Sequence, residues 1–335
     1  MSTNSRILTT VVGSYPLPTW LAQSPTEQHL TDAMRVVLDT QAQAGIDVVC
    51  DGEFSRFDVN HPETNGMIEY FLRPMAGIRT DVTYREALEY RRDVGMSYRL
   101  KPPGVVDGPL DEGMLDLPAA CARGRALTDR TYKFTLTGPH MLAKTLVDKH
   151  YGNIVDLTMA LADVLAAQVA DCEAEIIQVD EANLPGHPDE ADWAAEAMNR
   201  VLDQVKGTAA VHLCFGNYGG QSIQKGSWAK LMGYLNALHC DHIVMECAHR
   251  PASDLEAFKD LRPEIGFGLG VVDIKRTEVE TADQIAAAIE HAEKVVGPGR
   301  VRYVHPDCGF WMLQRSIADA KMRALVKGRD LFEGR

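Results

Sequence analysis

The sequence predicts an α/β protein, a (β/α)8 barrel of the TIM type with a long insertion between strands 2 and 3. Three observations lead there. Short β-rich runs alternate with longer runs of helical period, eight short runs occur in order, and most of them end in Gly, Asp, Glu or Pro. The expected strands are Ile7–Val12, Asp47–Cys50, Tyr132–Leu136, Glu175–Val179, Ala209–Leu213, His242–Met245, Gly266–Val272 and Val301–Val304. Several are apolar without alternation, as strands covered on both faces should be.

Helical patterns fill most of the gaps. Thr31–Ala44 carries Met34, Val37, Leu38 and Ala42 at helical spacing and stops at Gly45. Asp156–Cys172 is rich in Ala and Leu, and Asp189–Lys206, Ser222–Leu238, Ala252–Leu261, Thr281–Val296 and Leu313–Leu331 complete the set. Asp189 and Thr281 stand where N-caps belong, and Gly207 and Gly297 where helices end. A doubly wound open sheet is the runner-up, but Gly266-Phe-Gly-Leu-Gly270 lies within a strand and opens no helix, so it fits a dinucleotide fingerprint poorly.

One interval breaks the rhythm. Residues 54–131 are far longer than a normal βα connection and include the Arg-, Glu- and Tyr-dense run Tyr84–Tyr98 and the turn-rich stretch Lys101–Pro109. They are expected to form an inserted lid or subdomain over the barrel mouth, within a single catalytic domain spanning residues 1–335.

Composition narrows the function. Apolar residues make up 45% and charged residues 24% of 335, an ordinary globular balance that excludes a disordered or fibrous chain. The net charge of −13, with no basic tract, makes nucleic acid and anionic membrane unsuitable partners. No apolar run is long enough to span a bilayer. Seven scattered cysteines do not make a disulfide framework and fit a reducing cytoplasm, and the polar start Met1–Arg6 shows no signal-peptide pattern. A cytoplasmic enzyme is expected.

The carboxyl ends of barrel strands form the active face. Polar side chains crowd there: Ser14, Asp51 and Glu53, Thr137, Asp180 and Glu181, His212 and Cys214, Glu246, Asp273, and Asp307 with Cys308. In a strand, residues two apart share a face, so His212 and Cys214 are expected to face the mouth together. With Glu246 and Cys308 they supply one nitrogen, two sulfurs and one oxygen, a donor set that suits zinc. Taken alone, the His-x-Cys pair reads equally as a core cysteine beside a satisfied histidine. The rival grouping His239-Cys240-Asp241-His242 with Cys247 and His249 reads as packing and loop residues.

Taken in order, Val11-Val-Gly-Ser14-Tyr-Pro16, Asp51-Gly-Glu53, Thr137-Gly-Pro139, Gln178-Val-Asp180-Glu181, His212-Leu-Cys214, Glu246, Gly270-Val-Val-Asp273 and His305-Pro-Asp-Cys308-Gly309 resemble the catalytic domain of cobalamin-independent methionine synthases. The motifs run from about residue 7 to about residue 325 and cover the catalytic barrel alone. The chain is thus expected in the short, single-barrel branch that also includes epoxyalkane:coenzyme M transferases. The resemblance implies a zinc ion (Zn2+) held by His212, Cys214, Glu246 and Cys308, with Glu246 the ligand expected to leave when a substrate sulfur arrives. It implies that Glu53 and Asp180 hold the ammonium of homocysteine and that Ser14 meets its carboxylate. The residues alone leave the two carboxylates open as an acid/base couple or a solvated rim. Arg56 is either a sulfonate anchor for coenzyme M or a structural ion pair.

Two departures from the family pattern bear on the alkyl donor. The family's Asp-Ile-His, whose histidine protonates the departing folate nitrogen, is Asp273-Ile-Lys275 here. No Trp follows Thr137-Gly-Pro139 to stack on a pterin; the run is His140-Met-Leu-Ala-Lys-Thr-Leu. A corrinoid-bound methyl group, carried by a corrinoid protein, needs no such acid, whereas an opened epoxide needs a proton that Lys275 or His305 would supply. Asp273, Lys275 and His305 are therefore the catalytic candidates, with a salt bridge from Lys275 to Asp273 or Glu278 as the plain alternative. His140 and His305 also read as loop-orienting residues, and Trp193, Trp228 and Trp311 as packing. The expected activity is transfer of a methyl group to homocysteine. The alternatives are thiol addition to an epoxide, or a non-catalytic barrel whose cysteines only pack.

Overall fold

The computed structural model describes residues 6–58, 61, 64–93, 99, 101–217 and 221–335. Eight parallel strands form the barrel: β1 (Leu8–Thr9), β2 (Val48–Val49), β3 (Thr131–Thr137), β4 (Ile176–Glu181), β5 (Thr208–Leu213), β6 (His242–Met245), β7 (Gly266–Val272) and β8 (Val301–Pro306). Their order is β1-β8-β7-β6-β5-β4-β3-β2, and a parallel bridge between Thr10 and Val48 brings the two ends together. The β6 and β7 bounds match the sequence expectation, while β4 and β8 run two residues further, carrying Asp180, Glu181 and His305 within the ladder. β1 and β2 are shorter than expected, two residues each.

Where the barrel closes, side chains do much of the joining. Asp47 Oδ2 accepts the Thr9 N–H and hydroxyl, both at 2.9 Å. Arg329, on the C-terminal helix Arg315–Phe332, reaches the same Oδ2 at 2.7 Å and donates to the Ile7 carbonyl at 2.6 Å. Its side chain is 1% exposed and that of Asp47 16%, so a buried guanidinium on a partly exposed carboxylate ties that helix to both ends of the sheet.

Local signals explain most helices. Thr26 caps Glu27–Ala44, Asn153 caps Ile154–Ala170, and Thr281 with Gln284 closes a capping box at the start of Ala282–Val296. Two expectations are corrected. The run Asp189–Lys206 begins as a 3-10 turn at Pro188–Glu190, so the helix is Ala191–Leu202 and Asp189 does not cap it. The run Ser222–Leu238 is helical only from Trp228, because Ile223 and Gln224 both give their N–H to the Phe215 carbonyl at 2.8 Å and fold the chain back. Ala252–Asp260 is a 3-10 helix.

Between β2 and β3, the strand Ala76–Arg79 pairs antiparallel with Val105–Asp111, which in turn pairs in parallel with Val147–Asp148, a segment beyond β3. The helix Tyr84–Asp93 lies between the first two, and residues 94–98 of the Tyr84–Tyr98 run fall outside the described residues. The helix Leu117–Arg125 belongs to the barrel's outer ring. Its first amide donates to Gln168 at 2.7 Å, and Gly124 lies against the Tyr132 phenol on β3.

The glycine-rich β7 makes room for polar side chains. A Cβ at Gly268 would stand 3.1 Å from His305 Nε2, and one at Gly270 would collide with Asp307 Oδ1. The Gly266–Gly270 run thus serves close approach by the end of β8, not phosphate binding.

Arg329→Met leaves Asp47 short of its buried cation where the backbone ladder is shortest. Asp47 keeps Arg6 and Thr9, so the expected cost is about 1–3 kcal/mol, read as a lower urea midpoint; a change under about 0.5 kcal/mol would contradict the closing role.

Candidate metal centre

β5 and β6 pair so that His212 stands beside Val244. His212 Nδ1 is 2.8 Å from the Val244 carbonyl, which can only accept, so Nδ1 carries the proton and Nε2 is a bare lone pair. Nε2 is buried and has no hydrogen-bond partner among the described residues. It faces two sulfurs: Cys214, just past the end of β5, and Cys308, just past the end of β8, lie 4.0 Å apart. The three ligand atoms all lie within 4.8 Å of one another, and no other group of three or more such atoms occurs among the described residues.

The set passes a simple geometric test for a metal. Two sulfurs each about 2.3 Å from a tetrahedral ion stand about 3.8 Å apart, close to the 4.0 Å seen. The electrostatics agree. The contact with Cys214, with the Lys275 ammonium nearby, holds the Cys308 thiol well below its ordinary range, while the same contact and burial push Cys214 up.

Glu246, the fourth expected ligand, is not in this group. It is fully buried at the end of β6, where Oε2 accepts the Phe215 amide at 2.8 Å and Oε1 accepts the Lys275 ammonium at 2.8 Å. Lys275 therefore pairs with Glu246 rather than with Asp273 or Glu278. Burial works against its charge, yet Glu246 and the two thiols raise its pKa above the usual lysine range.

Above the sulfurs, the first four strands bring up a second set of groups. Glu53 has φ 61°, the only positive φ at a non-glycine among the described residues. Such backbone is strained and costs about 1–3 kcal/mol. Asp51 holds the turn by accepting the Glu53 N–H at 2.9 Å and the Tyr132 hydroxyl at 3.0 Å. The Glu53 carboxylate lies over Gly13, where a Cβ would collide with it, and accepts the Thr135 hydroxyl at 2.6 Å and Arg56 at 3.2 Å. Arg56 is buried and also bonded to the Thr135 carbonyl and hydroxyl, which is the structural pairing foreseen as its plain alternative.

Asp180, next to last in β4, stands beside His212 in register. It accepts Gln178 Nε2 at 2.7 Å, and burial pushes its carboxyl up to about 7. Ser14 packs against the segment that follows Cys308: its carbonyl accepts the Phe310 amide at 2.8 Å and its hydroxyl fills the space a Cβ on Gly309 would take.

The remaining candidates stand elsewhere. His305 is wholly buried inside the barrel, gives Nδ1–H to the Pro306 carbonyl at 2.7 Å, and burial pushes its pKa down to about 3. It is a neutral interior residue, not a proton donor at the mouth. Asp273 accepts the Lys275 amide and the His249 imidazole, both at 2.9 Å. His140 is pinned between Glu181 and Glu190, Trp228 is fully buried, and Trp311, expected to pack, is 51% exposed.

Sequence reasoning gave no role to three participants, although Asp307 was counted among the polar residues at the strand ends. Asp307 accepts the amides of Cys247, Ala248 and His249 at 2.9, 2.8 and 2.7 Å, shaping the loop after Glu246 from the residue before Cys308. Thr135 anchors Glu53. His249 had been set aside with the rival grouping, and only the fold brings it to Asp273.

A profile described as the catalytic domain of cobalamin-independent synthases matches residues 7–329. The chain belongs to this family. Among its relatives, the methionine synthase of Thermococcus kodakarensis is 30% identical over 343 residues, covering 96% of this chain and 92% of that protein. The methionine synthase of Sulfurisphaera tokodaii is 29% identical over 335 residues, covering 96% and 90%. A B12-independent methionine synthase from Shewanella sp. W3-18-1, solved with selenomethionine, superposes with a TM-score of 0.79 at 25% identity and 98% coverage of both chains. A methyltransferase from Methanosarcina mazei shares the fold, with a TM-score of 0.60 at 13% identity and coverage of 98% and 95%. The chain is a methyltransferase of this family. No helix among the described residues is long and apolar enough to cross a membrane.

The low-lying Cys308 thiol has a direct consequence in metal-free protein. Alkylation by iodoacetamide is expected at Cys308 first, and to fall off less steeply with decreasing pH than at an ordinary thiol. Peptide mapping that finds Cys240 or Cys247 modified first would contradict the assignment.

Proposed function

We propose that this protein is a zinc-dependent S-methyltransferase that converts homocysteine to methionine. The observation that carries the reading is the bare, buried Nε2 of His212 facing Cys214 and Cys308 at the rim of the barrel. These three residues would hold the ion, with Glu246 beside them. Bound there, zinc supplies the Lewis acidity that keeps a thiol in its nucleophilic thiolate form at neutral pH.

The protein's own groups would do the rest by positioning. Glu53 and Asp180 present two carboxylates to an ammonium, and Ser14 lies beside the Cys308–Phe310 turn, where the substrate carboxylate would rest. Arg56, bound to Glu53 and Thr135, is not free for a sulfonate, which favours an amino-acid thiol over coenzyme M. The substrate sulfur forms its bond to the methyl carbon as the carbon–donor bond breaks, and the electron pair leaves with the donor.

That leaving group favours one donor class. Lys275 is committed to Glu246 and His305 is buried and neutral, so neither is poised to protonate a departing nitrogen or alkoxide. The reading is therefore a methyl group carried on a corrinoid, whose reduced cobalt leaves without a proton. Zinc-loaded protein is expected to methylate homocysteine from methylcobalamin and not from 5-methyltetrahydrofolate. The reverse pattern, or turnover only with an epoxide and coenzyme M, would replace this reading.

Metal analysis tests the centre itself. About one zinc per chain is expected, with affinity lost in His212→Ala and Cys308→Ser by chelator competition; retention in both would return the cysteines to a packing role.

The Asp180 carboxyl near 7 sets a pH dependence. It is protonated below that value and charged above it, so an ammonium ligand should bind tighter as pH rises. Methionine affinity is expected to fall several-fold from pH 8 to 6. Asp180→Asn should weaken binding about tenfold at pH 8 and flatten the profile; an unchanged profile would remove Asp180 from the ammonium site.

A further inference from the structure

The strand β1 ends early, and what replaces its ladder leads to the amino-acid site. Thr10 still gives its N–H to the Val304 carbonyl at 3.1 Å, but no backbone amide among the described residues reaches the carbonyl of Val11 or Val12. Two side chains from across the barrel take them. Lys133 Nζ, on β3, donates to the Val11 carbonyl, and Gln178 Nε2, on β4, donates to the Val12 carbonyl at 3.0 Å. Val12 leads directly into Gly13 and Ser14, the segment that lies against Glu53 and the Cys308–Phe310 turn.

The two side chains are also joined to each other. Lys133 Nζ donates to Gln178 Oε1 at 2.7 Å, and Gln178 Nε2 gives its second hydrogen to Asp180 Oδ1 at 2.7 Å. Lys133 and Gln178 are 1% and 0% exposed, so bulk water does not compete for these bonds. The Gln178 amide is fully used, with two hydrogens on two acceptors and its oxygen on an ammonium. Its orientation is forced: turned over, its oxygen would face a carbonyl and a carboxylate, and its nitrogen a cation. Gln178 and Asp180, two apart on β4, point to the interior together.

Removing the cation would undo this order. Gln178 Oε1 would become a buried acceptor with nothing to accept from, which is costly in a dry interior. An amide that tilts away to relieve that cost takes with it the hydrogen bond that aims Asp180.

We propose that Lys133 is a positioning residue for the ammonium site, locking the Gln178 amide between the end of β1 and Asp180 so that the carboxylate keeps a fixed place relative to Gly13 and Ser14. The inference rests on the amino-acid site proposed above and extends it to a residue that touches no substrate. The cation fixes the amide, and the amide aims the carboxylate. An α-amino acid carries its ammonium and carboxylate on one carbon, so recognising it requires the two subsites to be held at a constant spacing.

The test uses the full chain loaded with zinc, with methionine as the probe at pH 8. Methionine affinity is read by calorimetry and zinc affinity by chelator competition. Lys133→Met keeps the stem and removes the cation; it should weaken methionine binding at least tenfold and leave zinc affinity within threefold of wild type. A double-mutant cycle supplies the readout that a purely structural role would not move. Asp180→Asn, which should cost about tenfold in the wild-type background, should cost under threefold in the Lys133→Met background, because the carboxylate is already misplaced there. A lysine that only stabilises the barrel would lower the urea midpoint and leave the two losses multiplicative. That result, methionine affinity within threefold of wild type, or a loss of zinc affinity beyond tenfold overturns the role. Gln178→Leu breaks the same link if K133M does not fold, and should show the same loss and the same cycle; wild-type affinity there overturns the proposal equally. Wild-type protein that binds no methionine, or binds it no better than Asp180→Asn does, sinks the amino-acid reading and this one with it. Wild-type protein that binds methionine through Asp180 alongside an indistinguishable K133M sinks only the role of Lys133.

Discussion

The His212 imidazole gives its Nδ1–H to the Val244 carbonyl across the β5–β6 ladder, and the rest of the rim is organised around that hydrogen bond. It fixes the tautomer and the ring plane, so the lone pair on Nε2 can point only toward Cys214 and Cys308. Such an outer hydrogen bond on a ligating histidine sets both its orientation and its basicity. Parallel pairing supplies the rest. Because all eight strands run the same way, β5 and β8 deliver their terminal cysteines to one rim although they are 94 residues apart in sequence. A shift of one residue in the register between β5 and β6 would take the Val244 carbonyl away from Nδ1 and leave the imidazole free to rotate.

Beneath that rim the barrel is polar where most cores are not. Lys133 on β3 reaches the Val11 carbonyl and Gln178 Oε1, and Gln178 in turn donates to Asp180. A chain of donors and acceptors thus runs across the interior from β1 to the carboxylate beside His212. Burial pushes the Lys133 ammonium down to about 8, and the same burial pushes Asp180 up. Both shifts follow from one cause, the scarcity of water, acting on charges of opposite sign. The strained backbone at Glu53 belongs to this economy: a left-handed residue brings the carboxylate over Gly13, where a less strained turn would direct it elsewhere.

Much of this was legible in the sequence because the signals were local. Apolar runs bounded by turn residues marked β6 and β7, and Thr281 with Gln284 marked a helix start. The His-x-Cys spacing on a strand marked two of the convergent groups. What escaped was nonlocal. Nothing in Ser222–Ser227 announces that two of its amides will fold back onto Phe215, and the helix Leu117–Arg125 lay hidden inside what read as one long insertion. The partner of Lys275 was sought within five residues, at Asp273 and Glu278, but the β7 rim carries the side chain toward β6 and Glu246. His249 and Asp273 are likewise 24 residues apart and meet only because β6 and β7 are neighbours.

Glu246 shows how firmly a carboxylate is built into this rim. Its backbone N–H donates to Leu213 at 3.2 Å, its carbonyl accepts the Trp228 indole at 3.1 Å, and Oε2 accepts the Phe215 amide. One residue thereby joins the end of β5, the loop beyond Cys214 and the short helix that begins at Trp228. The ties fall on either side of Cys214, at Leu213 and Phe215, and so hold the backbone that carries the sulfur. A carboxylate in that place needs a counter-charge when it is as dry as this one, and Lys275 provides it from the turn after β7. The charge pair and the sulfur geometry are therefore one construction: the group that orients the backbone around Cys214 is the group whose charge Lys275 must balance.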